Sequence, residues 1–314
     1  MPNRPLAALD LGSNTFRLIL AQSDDFGQGL LNRRVWQEIP RIAEGLAPGG
    51  SFAAEPLKRA IAALETFQTQ IDQSQPSRVL AGATMAFRLA KDGEAVLKAI
   101  QSRFGWETRL LSGQEEARLS AYGVLSGLKP LLESGLIFDI GGRSTEFIKT
   151  HGQTLVTAQS LNLGVVSLTE DHIHADPPTT TELAALTKSV AASLKTLNPD
   201  LWPLDPNATL VGTAGTVTTV AAMLMDMADY DGDLVNNQVF KKADIVKLFD
   251  RLTRLPIAHR QRTPGLHPKR ADVIVAGLAL VLAILDFFQR DTLMVSDNSL
   301  LEGLWLVAAG RTHL

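Results

Sequence analysis

Apolar residues recur along this chain with two periods, one typical of β-strands and the other of α-helices. Residues 6–12 and 15–22 predict two strands joined by the polar turn Gly12-Ser13-Asn14, and residues 135–149 predict a second hairpin of the same kind. Between Glu55 and Ile71, apolar residues recur at the spacing of an amphipathic helix. Strands that alternate with helices predict the α/β class.

The remaining elements follow from the same two periods. Further strands are expected near residues 31–39, 79–83, 106–111, 154–162, 207–212 and 293–297. Further helices are expected near residues 93–103, 112–128, 179–197, 214–227, 241–254, 269–289 and 299–309. The apolar run from Val273 to Leu285 is too short to cross a bilayer, so it predicts a buried helix and no membrane partner.

One segment of the chain occurs twice. Residues 6–19 (LAALDLGSNTFRLI) and 136–148 (LIFDIGGRSTEFI) both end an apolar run in Asp-(Leu or Ile)-Gly, and small hydroxyl residues and a second apolar run follow. Asp10 and Asp139 are separated by about 130 residues, about one domain length. Two related halves are therefore expected, with both Asp-Gly turns facing one shared ligand.

Composition and charge narrow the function classes. The chain has 314 residues, of which 45% are hydrophobic and 20% charged, as in an ordinary globular protein. The net charge of −3 gives no basic field for nucleic acid. The absence of cysteine excludes disulfides, thiolate catalysis and Cys-ligated zinc. No signal-peptide pattern is visible, so a cytoplasmic protein is expected.

The turn that begins at Asp10 predicts phosphate chemistry. Its glycine lets backbone N–H groups approach a phosphate, and Ser13, Asn14 and Thr15 add polar side chains. The Asp10 carboxylate would repel phosphate unless a cation lies between them, so Mg²⁺ is implied. The alternative is a plain hairpin in which Asp and Asn are turn formers.

A third turn of small residues, Thr213-Ala-Gly-Thr216, follows a predicted strand and enters a helix. Such a helix N-terminus suits an anion. No Gly-Lys-Thr or Gly-Lys-Ser follows, so the turn is not a P-loop, and its glycine spacing is not that of a dinucleotide-binding fingerprint.

Two adjacent glutamates open the helix expected from Ser112. Ser112-Gly-Gln-Glu115 matches a capping box, which gives Glu115 a structural role. Glu116 is turned by about 100° around the helix axis and is free for chemistry. The alternative is that both carboxylates only stabilise the helix start.

Basic residues dominate the span from Arg251 to Ala271, which holds six Arg or Lys and no acidic residue. Scattered surface bases are one interpretation. The other is an anchor for a long polyanion, formed by Arg260, Arg262, Lys269 and Arg270.

Seven short motifs follow one another along almost the whole chain. They are DLGSNTF, ATMAFR, SGQEEARL, FDIGGRSTE, GTAGTVTT, KRADVIVAGL and VSDNSLLEG. In this order they resemble the exopolyphosphatase/guanosine pentaphosphate phosphohydrolase family. The resemblance implies an α/β, actin-like (ribonuclease H-like) duplicated fold with an active-site cleft between two domains.

The resemblance also implies roles for individual residues. Glu116 would activate the attacking water, and Asp10 and Asp139 would hold Mg²⁺, with Glu146 as a further acidic residue near the metal. The terminal phosphate would be bound by Arg88 and by the two turns, through Ser13, Asn14, Thr15, Gly141, Gly142, Arg143, Ser144 and Thr145. A second phosphate would be bound by the third turn, through Gly212, Thr213, Gly215 and Thr216.

Two departures from the family pattern stand out. Arg143 replaces the third glycine of the usual Gly-Gly-Gly-Ser-Thr, where it adds a planar donor for phosphate or narrows the cleft. Ser299 and Leu301 replace a glycine and an arginine near the end of the family pattern. The C-terminal helical domain of long family members is expected to be absent.

We expect a Mg²⁺-dependent exopolyphosphatase that acts on inorganic polyphosphate. Guanosine pentaphosphate is the alternative substrate, and an actin-like kinase and a non-catalytic nucleotide sensor are alternatives of other classes. Residues 1–117, completed by 298–314, are expected to form the first domain and residues 118–297 the second. A homodimer is left open.

Overall fold

The computed structural model describes residues 4–23, 30–47 and 49–312, which divide into two compact units. Unit 1 contains the described residues up to Ser126 together with those from Ser299, and unit 2 is Gly127–Asn298. The chain therefore enters unit 2 once and returns to unit 1 for its last helix.

Strands and helices alternate along both units. The strands are β1 (Leu6–Leu11), β2 (Phe16–Ser23), β3 (Leu30–Glu38), β4 (Val79–Ala83), β5 (Glu107–Leu110), β6 (Ser134–Ile140), β7 (Thr145–His151), β8 (Thr154–Leu161), β9 (Thr209–Thr213), β10 (Val239–Lys241) and β11 (Thr292–Val295). The helices are α1 (Ala54–Ser74), α2 (Met85–Leu89), α3 (Gly93–Phe104), α4 (Gly113–Gly127), α5 (Val165–His172), α6 (Thr180–Leu194), α7 (Ala214–Leu224), α8 (Gly232–Val235), α9 (Lys242–Thr253), α10 (Ile257–Arg260), α11 (Ile274–Phe287) and α12 (Leu300–Ala308).

The two units share one sheet topology. Unit 1 has the strand order β3-β2-β1-β4-β5, in which the first three strands are antiparallel neighbours and the last two are added in parallel. Unit 2 repeats this arrangement as β8-β7-β6-β9-β11, with β10 as an extra antiparallel edge strand. The repeated topology confirms the duplicated α/β fold expected from the sequence.

Central strands are buried on both faces, which explains their nearly continuous apolar sequences. In β1, every residue after Leu6 is buried. One face of the unit 1 sheet packs against α1, α2 and α3, and the other against α4 and α12. In unit 2, α11 is apolar around its whole circumference and lies in the core beside α6 and α7. In the described parts of the chain, no helix is both long and apolar enough to cross a membrane.

The boundary between the units falls at the end of α4, whereas the sequence-based division after residue 117 lies inside this helix. Leu119 of α4 is fully buried in the same cluster as Leu304 and Trp305 of α12. This packing holds α4 in unit 1 almost to its C-terminal residue.

The structure differs from the sequence expectation in some short elements. The helix expected over residues 269–289 begins only at Ile274, because Pro268–Arg270 form a separate short 3₁₀ turn capped by the His267 side chain. The elements α2, α5, α8, α10 and β10 were not predicted. Each of the four helices is at most eight residues long and β10 has three, too short for a periodic pattern to show.

Helices α4 and α12 approach each other closely through glycines. A Cβ atom on Gly123 would overlap the main chain of Ser299, and one on Gly303 would overlap the main chain of Leu119. Because these neighbours are backbone atoms, they cannot rotate away. The close contact places the start of α12, at Ser299, beside the body of α4.

We predict that Gly303→Ala destabilises the protein. In an open helix, alanine would be more favourable than glycine by about 1 kcal/mol. Here the added methyl group meets the Leu119 backbone, so a net loss of about 1–3 kcal/mol is expected. The change is measured as a lower urea midpoint at unchanged slope, and an equal or higher midpoint would contradict the close packing.

Candidate active site

The first duplicated turn connects β1 to β2. It is closed by a hydrogen bond from the Gly12 amide to the Thr15 carbonyl at 3.1 Å. The Ser13 and Asn14 carbonyls accept hydrogen bonds from the amides of Ala43 and Arg41, both at 3.1 Å. A neighbouring loop therefore fixes the carbonyl side of this turn.

The second duplicated turn connects β6 to β7 and is built in the same way. The Gly141 amide donates to the Ser144 carbonyl at 2.9 Å. The Gly141 and Gly142 carbonyls accept from the first amides of α5, at 3.1 Å from Val165 and 2.8 Å from Val166. A helix N-terminus, which favours negative partial charge, thus holds the carbonyls of this turn.

These contacts determine where the turn amides point. In a trans peptide, a carbonyl and the following N–H point in opposite directions. Because the carbonyls of Ser13 and Asn14 face the loop of Arg41, the next two N–H groups point away from that loop. The same reasoning turns the amides of Gly142 and Arg143 away from α5. Each copy therefore presents two successive N–H groups on one side, an arrangement that suits an anion.

Asp10 lies opposite Arg17 in the β1–β2 register. Arg17 donates to Asp10 Oδ2 through Nε at 3.3 Å and Nη2 at 2.9 Å, and Nη2 also donates to Ser299 Oγ at 2.8 Å. Ser299 is the N-cap of α12, and its amide donates to the buried Glu302 at 2.7 Å. Asp10 is thereby connected through Arg17 to the C-terminal helix.

Asp139 is the counterpart of Asp10 in the second copy, but it faces a different residue. The β6–β7 register places Glu146 opposite it, where the first copy has Arg17. Both carboxylates are buried, and Glu146 accepts a hydrogen bond from Ser160 Oγ at 2.7 Å. Two charged carboxylates in directly opposed positions repel each other, which is the contrast with the Asp10–Arg17 pair of the first copy.

Glu116 is buried near the start of α4 and forms an ion pair with Arg88 of α2. Arg88 Nη1 lies 2.8 Å from Glu116 Oε2 and also donates to the Leu111 carbonyl at 2.6 Å. The Arg88 side chain thus holds the Glu116 carboxylate in one orientation. Sequence reasoning named both residues but did not predict that they bind each other.

Glu115 forms the expected capping box. Its carboxylate accepts from the Ser112 amide at 2.7 Å and from Ser112 Oγ at 2.6 Å, and its own amide donates to Ser112 Oγ at 3.2 Å. The hydrogen bonds from Ser112 lower the pKa of Glu115. The structural role predicted for Glu115 is confirmed.

The third turn lies between β9 and α7. Gly212 is a strand residue that packs against the Phe138 ring, whereas Gly215 is in the first turn of α7, and the Arg270 guanidinium lies against it. Ala214 has a φ of 66°, in the left-handed region. Thr213 is the N-cap residue of α7, but its side chain makes no capping hydrogen bond to the helix. The start of α7 and the adjacent guanidinium suit a phosphate group.

Two hydroxyl groups expected at phosphate have main-chain partners. Thr145 Oγ1 donates to the Leu163 carbonyl, and Thr213 Oγ1 donates to the Asn298 carbonyl at 2.7 Å. Both residues are fully buried. Both hydroxyl protons are therefore used within the fold, and a phosphate contact by these two side chains stays a prediction. Ser13, Asn14, Ser144 and Thr216 are also buried, and they lie in or directly beside the three turns.

The basic span from residue 251 to 271 is not a continuous surface strip, which corrects the sequence expectation. Arg260 is 1% exposed and donates to the carbonyls of Leu255 and Ala271 and to Asp176 Oδ1. Burial lowers the pKa of Arg260, and Asp176 opposes that shift. Arg270 is also buried. These two arginines cannot line an exposed path for a polyanion.

The donors needed for a metal are present only in part. Among the residues that the structure describes, no group of three or more His, Asp or Glu side chains could hold a metal ion. Oxygen donors do occur within each unit: unit 2 has the facing acids Asp139 and Glu146, and unit 1 has Asn14 Oδ1, which is buried without a hydrogen-bond donor among the described residues. Carboxylate and carbonyl oxygens are the ligands that Mg²⁺ prefers, and it commonly keeps few protein ligands beside water and phosphate.

Sequence reasoning missed several partners of the candidate residues. Arg17 could have been found by counting across the hairpin from Asp10, because the turn fixes the register. Glu170, which pairs with Arg143 at 2.9 Å, lies on the unpredicted helix α5 and carried no such signal.

Comparison with known proteins agrees with the motifs and the fold. The model of the Ppx/GppA phosphatase family matches residues 31–311. The chain is 30% identical over 322 residues to Exopolyphosphatase 2 of Mycobacterium tuberculosis, covering 97% of this chain and 98% of that protein. It is similar to the structure of the Aquifex aeolicus member of the Ppx/GppA family, with a TM-score of 0.81, 30% identity and 99% of each chain covered. An exopolyphosphatase from Cytophaga hutchinsonii, 23% identical, shares the fold with a TM-score of 0.86 over 98% of this chain and 99% of that one.

We predict that Glu115→Gln affects stability and not chemistry. Hydrogen bonds from Ser112 lower the pKa of the Glu115 carboxylate in the folded protein. The stability that this carboxylate contributes is therefore complete above the pKa of Glu115 in the unfolded chain, and it is lost as pH falls through the lower pKa of Glu115 in the folded protein. At neutral pH the variant should lose about 1 kcal/mol or less, as for a weakened helix cap. Urea unfolding across an acid pH series checks this, and a difference that persists unchanged in acid would contradict it.

Proposed function

Because the chain belongs to the Ppx/GppA phosphatase family, we propose that it is an exopolyphosphatase that removes the terminal phosphate of inorganic polyphosphate. Membership makes the chain a hydrolase, which sets aside the kinase and the non-catalytic sensor. The substrate is proposed from the Mycobacterium tuberculosis relative, whose name is Exopolyphosphatase 2.

The observation that carries the proposal is the arrangement of the two duplicated turns. Each turn has its carbonyls bound by neighbouring amides, so that two successive N–H groups point to the opposite side. Such groups bind phosphate oxygens without regard to a base or a sugar. A substrate made only of phosphate units matches this chemistry.

The proposed reaction is hydrolysis of a phosphoric anhydride. Glu116 takes a proton from the attacking water while the water oxygen bonds to the terminal phosphorus. The bond between that phosphorus and the bridging oxygen breaks, and the shortened chain leaves with the bridging oxygen. Arg88 holds Glu116 in position at 2.8 Å, and the turn amides stabilise charge on the terminal phosphate.

We propose Mg²⁺ as the cofactor, held in unit 2 by Asp139 and Glu146. Their opposed positions and oxygen donors fit this ion, which supplies positive charge to offset that of the phosphates. Asp10 was expected to share the metal, but its Oδ2 accepts two hydrogen bonds from Arg17. A role for Asp10 at the metal therefore stays a prediction.

Phosphate release distinguishes the candidate substrates. Polyphosphate, guanosine pentaphosphate and ATP are compared in parallel at equal concentration of terminal phosphate, with Mg²⁺ present. The proposal expects the highest kcat/KM with polyphosphate. A higher kcat/KM with guanosine pentaphosphate would make that nucleotide the substrate and would leave the proposed hydrolysis of a phosphoric anhydride unchanged. The homodimer that the sequence leaves open is tested by the mass of the protein in solution.

We predict that Glu116→Gln lowers kcat on the preferred substrate by about 10²–10⁴, the usual contribution of a general base. The thermal midpoint should change little, because glutamine keeps the shape and can still accept a hydrogen bond from Arg88. Glu115→Gln is the matched control, one residue away on the same helix, and should keep kcat. Exchanged effects of the two variants would overturn the assignment of roles.

We predict that Asp139→Asn raises the Mg²⁺ concentration needed for half-maximal activity by at least about tenfold, because even the loss of a group that only supports a metal ligand typically costs about 10–100-fold in metal affinity. Asp10→Asn is assayed in the same way to test its proposed link to the metal. Asp250→Asn, which removes the same charge at an exposed position of α9, is the control. Full activity of the unaltered protein in excess chelator would reject the cofactor.

A further inference from the structure

Arg143 stands where the family pattern has a glycine, and its side chain turns toward α5. Its Nη1 lies 2.9 Å from Glu170 Oε2 and 3.5 Å from Ser167 Oγ. Ser167 and Glu170 are three residues apart on the helix, so they share one face. The arginine of this turn is therefore paired with a carboxylate of α5.

The pair is not needed to hold the turn in place. The turn is attached to α5 by main-chain bonds from Val165, Val166 and Ser167 to the glycine carbonyls. Gly164 also packs directly on the backbone of Arg143, where a Cβ atom would overlap it. Because these contacts involve only backbone atoms, they persist whatever the Arg143 side chain binds.

The side chains of the two partners differ in solvent exposure, so a phosphate group can replace Glu170 as the partner of Arg143. The Arg143 side chain is 12% exposed, whereas that of Glu170 is 40% exposed. An ion pair with one solvated partner is weak, because water competes for the carboxylate. A phosphate group carries more charge than a carboxylate and offers the guanidinium the same paired oxygen geometry.

We propose that Glu170 determines phosphate affinity at this turn by competing with substrate for Arg143. In the free protein the guanidinium is bound to Glu170. A phosphate group bound by the turn amides, which point away from α5, draws the Arg143 side chain from the α5 side of the turn to the amide side, and Glu170 turns to water. Glu170 thereby weakens the binding of phosphate ligands, including the orthophosphate product. This inference rests on the proposed phosphatase function and adds a specificity-determining residue to it.

The test is a double-mutant cycle on Arg143 and Glu170. Binding of tripolyphosphate is measured by calorimetry, and KM for polyphosphate and inhibition by orthophosphate are measured in steady state. Glu170→Gln should lower the Kd of tripolyphosphate, the KM for polyphosphate and the inhibition constant of orthophosphate, each by about two- to fivefold, the range for a partly exposed ion pair. Arg143→Gln should raise them by about tenfold, as for loss of a charged hydrogen bond. In the Arg143→Gln background, Glu170→Gln should change nothing.

Asp171→Asn is the matched control, because it removes the same charge from the neighbouring exposed residue of α5 and should leave all three constants unchanged. Glu170→Asp, which shortens the side chain, should give a smaller shift in the same direction as Glu170→Gln. Thermal midpoints accompany every variant.

Two results would overturn the inference. A purely structural pair predicts that Glu170→Gln raises KM and lowers the thermal midpoint. A general charge effect predicts the same gain in affinity from Asp171→Asn, or from Glu170→Gln when Arg143 is already replaced. If tripolyphosphate binding follows the expected pattern but no phosphate is released from polyphosphate, the inference is supported and the proposed function fails.

Discussion

The main-chain hydrogen bonds that hold the carbonyls of the two duplicated turns are the constraint on which the candidate site depends. In unit 1 a loop around Arg41 supplies the donors, and in unit 2 the first turn of α5 supplies them. Different scaffolds thus reach one result, because a fixed carbonyl dictates the direction of the next N–H. Side chains around the turns can then vary, as Arg143 does, without changing the direction of these peptide groups.

Duplication of the fold has not produced duplicate chemistry. The residue opposite the turn aspartate is Arg17 in one copy and Glu146 in the other. A single exchange of charge at equivalent positions gives unit 1 an aspartate paired with an arginine and unit 2 two acids that lie directly opposite each other. The two halves have therefore diverged through the cross-strand neighbours of their aspartates, while the strands and turns that carry them stayed the same.

The repeated motif and the apolar periodicity were sufficient to predict the duplication and the long elements, and the capping-box pattern from Ser112 to Glu115 predicted the helix cap. They failed where the information is not local. The pairing of Arg88 with Glu116 and of Arg143 with Glu170 depends on helices α2 and α5, which are too short to leave a periodic signal. Charge counting likewise misjudged Arg260, because a run of bases does not reveal that one of them donates to buried carbonyls.

The discontinuous composition of unit 1 has a consequence for biosynthesis. Unit 2 is one continuous stretch, so all of its core residues have been made once Asn298 is added. The sheet of unit 1 is translated first, but one of its faces is covered by Leu304 and Trp305, which are added later than all of unit 2. On the ribosome, the half that is translated first is thus the last to be completed. Until then the apolar side chains of Ile19 and Leu80 lack their cover, which is the kind of exposed surface that chaperones bind.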